Sequence, residues 1–145
     1  MSAQFSLAGL LRLRKLEEDQ RAAELNSARD RESIGLARSR RVRRDLAEGA
    51  HEDPTAHASL ASIAATRASS ATMLEELAEI DRANAAEVEA AAAAHSDAHR
   101  KTLGLEKLEE RFDEKQRVEE LRQEQLLLDD LSSRAWHAEH GEERS

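Results

Sequence analysis

The chain has 145 residues, of which 36% are charged and 2% aromatic, with a formal net charge of −8, no Cys, no Tyr, five Gly and one Pro. Leu, Ile, Val and Phe together make up about a fifth of it, too little for a compact globule and enough for a narrow seam between helices. The lack of Cys excludes a disulfide framework and a thiolate metal site, and no apolar run is long enough to span a bilayer. The stretch 5–16 is interrupted by Arg12, Arg14 and Lys15 and does not read as a secretion signal. A cytoplasmic protein is expected.

The first limb runs from Phe5 to about Leu46 with no Pro and only Gly9 and Gly35, so a Leu-, Ala-, Glu- and Arg-rich helix over about 5–48 is predicted. Leu7, Leu10, Leu11, Ala22, Leu25, Ala28, Leu36, Leu46 and Ala47 fall on one face of its wheel, while Leu13, Leu16, Ile34 and Val42 do not. Residues 1–50 hold 11 Lys and Arg against 8 Asp and Glu, and residues 51–145 hold 11 against 22. A basic limb beside an acidic one favours pairing, weakly per contact.

A break is expected at 49–55, where Gly49 ends a helix and Asp53 before Pro54 caps the next. A short helix over about 54–69 follows. A turn at 69–72 is expected next, because Thr72 and Glu75 form a capping-box pattern ahead of Met73, Leu74, Leu77 and Ile80. The last helix, about 72–139, carries one heptad row at Leu77, Asn84, Ala91, Ala98, Leu105 and Phe112 and a second at Ile80, Glu87, Ala94, Lys101 and Leu108. After Phe112 the phase slips to Val118, Leu121 and Leu128, as a stutter produces. An unbroken helix from 54 to 139 is the alternative, since Ile63, Thr66 and Ser70 share the register of Leu77.

The expected fold is all-α: a single domain over 1–145, formed as a long antiparallel two-limbed coiled-coil hairpin with a break near 49–55 and its apex near 69–72. Each limb is then about 65 residues, or roughly 100 Å. This register sets the small run at 90–94 against Ala47, Gly49 and Ala50, and Leu11 opposite about residue 130.

Arg38, Arg40, Arg41, Arg43 and Arg44 lie within seven residues. A solvated helix face and docking on an acidic protein surface both fit them better than nucleic acid, given the acidic chain and the scarcity of stacking aromatics. His95 and His99 share a face, but no Glu or third ligand stands at metal-binding spacing, so they read as surface His. No phosphate-cradling loop and no pocket-forming pattern is present, and neither a cofactor, a metal nor an enzymatic activity is expected. The ends are richer than a seam needs: Leu126, Leu127, Leu128 and Leu131 point in several directions, more than one partner helix covers.

Phe5, Leu7, Leu10, Leu11, Leu13 and Arg14, followed by Glu17, Glu18, Ala23, Leu25 and Ala28, resemble the N-terminal pattern of the flagellar type III export protein FliJ family. Glu120, Arg122, Glu124, Gln125, Leu128, Asp129, Asp130, Leu131 and Arg134 resemble its C-terminal pattern. The resemblance implies a fold similar to the stalk subunit of rotary ATPases. It implies a non-enzymatic export component, peripheral at the inner face of the cell membrane at the flagellar base. Its partners would be the export ATPase hexamer, bound as a stalk, the export gate protein, and export chaperones that it escorts. The ATPase-binding set implied is Phe5, Leu7, Leu11, Arg14, Glu124, Gln125, Leu128, Asp129, Leu131 and Arg134; the gate or chaperone docking site expected at Arg38, Arg40, Arg41, Arg43 and Arg44 rests on their charge and not on the resemblance. An injectisome stalk protein and a generic coiled-coil scaffold remain alternatives.

Overall fold

A computed structural model describes residues 3–49 and 59–141. Two helices account for nearly all of them: α1, Ala8–Gly49, and α2, Leu60–Gly141. The fold class is all-α, as the sequence indicates.

Helix α1 opens as Ala8 N–H reaches Phe5 C=O at 3.1 Å and continues to Gly49. At the start of α2, the Ser59 side chain accepts the amide of Ser62 at 3.2 Å, a cap that satisfies one of the helix's orphan donors. The expected cap at Asp53 and Pro54 falls among residues 50–58, outside the described ones.

The turn expected at 69–72 is absent, because α2 runs through it as continuous helix. Thr72 is no cap; its hydroxyl donates back to Ala68 C=O at 3.1 Å, and Ser70 does the same to Thr66 C=O at 2.9 Å. Ser and Thr bonded this way sit inside a helix without ending it. The described part of the helix expected over 54–69 and the helix expected over 72–139 are one, and residues 54–58 lie outside the described ones.

The chain divides into two compact units, each containing a piece of both helices: residues 1–15 with 100–145, and residues 16–99. Within the second unit the helices run antiparallel, as Glu18 meets His99, Arg31 meets Glu87 and Ser39 meets Asp81. Within the first, Phe5 lies against Phe112 with ring centroids 5.6 Å apart, and Thr102 donates to Arg14 C=O at 3.3 Å. These pairs replace the register expected from a turn at 69–72. Residues 90–94 do not face 47–50, and Leu11, bracketed by Phe5 and Arg14, lies opposite the 102–112 stretch and not residue 130.

The seam is thin. Among the described residues the buried apolar side chains are Leu11, Leu25, Ala28 and Ala98, joined by Ser39 and Thr102. On α2 the row Leu77, Asn84, Ala91, Ala98, Leu105 and Phe112 is buried or half-buried, as the heptad predicts. The companion row is different: Ile80, Glu87, Lys101 and Leu108 are exposed, and Asp81, Val88, His95, Thr102, Glu109 and Gln116 take the inner side. The exposed row is more apolar by count, yet burying it would desolvate Glu87 and Lys101. Thr102 and Asp81 go inside with a hydrogen-bond partner each, which removes most of the penalty for a buried polar group. On α1 the same geometry half-buries Val42 and leaves Leu36 and Ala47 exposed, reversing the wheel's assignment for these three.

Candidate functional site: an unpaired helical segment and an arginine face

The pairing in the first unit reaches Phe112, which lies against Phe5, and the half-buried Gln116. From Arg117 to Gly141 every residue of α2 is exposed. Val118, Leu121, Leu126, Leu127, Leu128, Leu131 and Trp136 are all open, with Leu131 55% and Trp136 57% exposed.

Continuing the two rows that face α1 would bring Glu119, Gln123, Leu126, Asp130, Ser133 and His137 to the seam, a mostly polar set. Leu121, Leu128, Leu131 and Ala135 lie on the roughly opposite side of the helix, with Leu127 between. An extended α1 could not cover such a girdle, which is the structural meaning of the stutter. Charge is arranged along the helix by local pairs, including Arg122 with Glu119 at 3.7 Å and Arg134 with Asp130 at 3.1 Å. At its end the Trp136 ring stacks on His140 at 4.5 Å, and His140 Nδ1–H donates to Trp136 C=O at 2.9 Å.

The structure does not unite the two halves of the predicted ATPase-binding set. Glu124, Gln125, Leu128, Asp129, Leu131 and Arg134 belong to this unpaired segment, whereas Phe5, Leu7, Leu11 and Arg14 sit beside the 102–112 stretch. Leu11 is only 5% exposed, and so supports the seam instead of offering a contact surface. The composite end expected from Leu11 meeting residue 130 is not formed, because the real register is displaced by more than twenty residues along α2.

Arg38, Arg40, Arg41, Arg43 and Arg44 are all exposed on α1, in the second unit. Ser39, between the first two, is the buried member of that turn, so the Arg side chains radiate from the open side of the helix. Of His95 and His99, expected at the surface, His99 is exposed as expected, and it also contacts the facing helix. Their rings stack at 6.3 Å, His95 is half-buried, and His99 Nδ1–H donates to Glu18 Oε1 at 2.7 Å. Among the described residues no group of three or more His, Asp or Glu gathers as a metal site, and no helix is long and apolar enough to cross a membrane. Two shallow grooves stand among the described residues, one lined by Gln20, Ala23, Glu24, Ser27 and Arg31, the other by Leu10, Arg14, Lys101, Gly104, Leu105 and Leu108. Such grooves suit helices of other proteins better than small substrates, which are bound where most of their surface is enclosed.

These features define a helical coiled-coil protein that presents exposed helix faces. Residues 3–141 match the family model described as "Flagellar FliJ protein". The chain belongs to that family, whose members are non-enzymatic components of the flagellar protein export apparatus. Comparison with curated proteins and with solved structures found no match.

Proposed function

We propose that the chain is the stalk of the export ATPase, and that the unpaired segment of α2 is the part that enters the ATPase ring. The observation that carries this reading is the exposure of 117–141 together with apolar side chains, Leu joined by Val118 and Trp136, on all of its sides. A single docking helix needs one apolar stripe; a girdle suits an enclosing set of subunits that touch it from several directions. Each Leu covered in this way contributes about 1.5–3 kcal/mol. Glu124, Gln125, Asp129 and Arg134 supply the polar contacts that orient it. Phe5, Leu7 and Arg14 act one step removed, by anchoring the start of α1 on α2 and so marking where the free segment begins.

The exposed Arg38, Arg40, Arg41, Arg43 and Arg44 dock on an acidic surface of the export gate protein or of an export chaperone that the stalk escorts. This arrangement holds the protein peripherally at the inner face of the membrane at the flagellar base. Binding of the full chain to the assembled ATPase hexamer tests the reading. Leu128→Glu together with Leu131→Glu should lower affinity at least about a hundredfold, from two lost apolar contacts. Unchanged affinity would discard the stalk assignment.

A further inference from the structure

The second groove and the unpaired segment, both in the first unit, are complementary to each other. The groove is lined by Leu10, Gly104, Leu105 and Leu108 with Arg14 and Lys101 at its edges. Leu10 and Leu108 are 37% and 44% exposed. Its lining holds two cations, Arg14 and Lys101, and no carboxylate, while Lys15 pairs with Glu106 at 3.7 Å outside it. The unpaired segment 117–141 carries six acidic against three basic, and its stretch 126–133 consists of four Leu, two Asp and two Ser. A rigid continuous α2 cannot fold its own end back onto the groove. A second copy can deliver it.

The geometry points to a two-fold homodimer in which the 117–141 segment of each copy lies in the Leu10–Leu105–Leu108 groove of the other. The register follows from abutment of the two paired portions. Two copies set antiparallel, with their paired portions abutting near residue 117, bring residues equally far before and after that point together. Positions 101–108 of one then lie beside about 126–133 of its mate, so the Leu-rich, acidic stretch meets the apolar, basic groove without adjustment. Gly104 forms an open floor, since a Cβ there would meet nothing within 4 Å. The contact is isologous and closes on itself, so it yields dimers and not filaments. It goes beyond the stalk reading and competes with it: a segment held by a second copy is unavailable to a ring. The dimer is thus a storage form that protects exposed Leu until a ring displaces it.

The full chain, analysed by sedimentation equilibrium between micromolar and about 100 µM, should show a reversible monomer–dimer equilibrium. Lys101→Glu, and separately Asp130→Lys, should each weaken the dimer about tenfold by placing like charges together, and the two changes combined should restore much of the loss. Gly104→Trp should fill the groove and abolish dimers while circular dichroism shows the helices retained. Because the chain has no Cys, Gly104→Cys with Asp130→Cys should give a disulfide-linked dimer under oxidation, whereas either change alone should not. A chain monomeric throughout, a dimer indifferent to these charges, or cross-linking by Asp130→Cys alone, which pairs segment with segment, would overturn the proposal. None of these readouts involves the ATPase, so failure here leaves the stalk reading to its own test.

Discussion

The hydroxyl of Ser39 donates to Asp81 Oδ2 at 2.6 Å from a side chain that is only 1% exposed. Gly35, one turn earlier on α1, faces the same turn of α2, where a Cβ would come 2.9 Å from Asn84 Nδ2 and 3.1 Å from Asp81 Oδ1. A polar residue inside a coiled-coil seam fixes alignment at some expense of stability, because any slipped register strands it without a partner. Ser39→Ala should therefore cost about 1–3 kcal/mol, by leaving the Asp81 carboxylate without its donor. Ser39→Ala combined with Asp81→Ala should cost less than the sum of the two single changes in urea unfolding. Gly35→Leu should lose about 1–3 kcal/mol by overpacking the same spot.

The continuous helix through 69–72 is open to a direct check. Ala71→Pro should cost about 3 kcal/mol or more and lower helicity, since it removes an intrahelical bond and clashes with the preceding turn. If the thermal midpoint is unchanged, a turn exists there after all.

How far these features were legible differs from residue to residue. Helix, antiparallel pairing and the heptad row from Leu77 to Phe112 are written in composition and spacing, which act locally. Register is a difference between two alignments, and the apparent symmetry of limbs of equal length outweighed the weak helix-interior signal of Ser70 and Thr72. The companion row was misread because counting favours Ile80 and Leu108, whereas the penalty falls on Glu87 and Lys101; only the partners of Thr102 and Asp81 reveal the balance. The girdle at 126–131 was visible as Leu in excess of a seam. Its separation from Phe5 and Leu11 was not, because that depends on the register.

The inner and outer rows should respond differently to truncation. Leu25→Ala, at a buried position, should destabilise the fold by about 2–4 kcal/mol, as cavity formation in a thin core does. Ile80→Ala and Leu108→Ala, at exposed ones, should change it by less than about 0.5–1 kcal/mol. Chemical denaturation at fixed protein concentration distinguishes them.

Replacing Arg40, Arg41 and Arg44 by Glu should leave circular dichroism unaltered, since all three side chains are exposed. Association with the gate protein or an export chaperone should fall, and more steeply at low salt, where exposed charges act over longer distances. Undiminished capture of both partners would assign the run to a solvated face.

Stimulation of the export ATPase tests the central claim most directly. A chain ending at residue 118 keeps the Phe5–Phe112 contact and the whole seam, and loses only the free segment of α2. It should fold with nearly the melting temperature of the full chain and fail to stimulate ATP hydrolysis by the hexamer. Full stimulation by that folded, shortened chain would contradict the account.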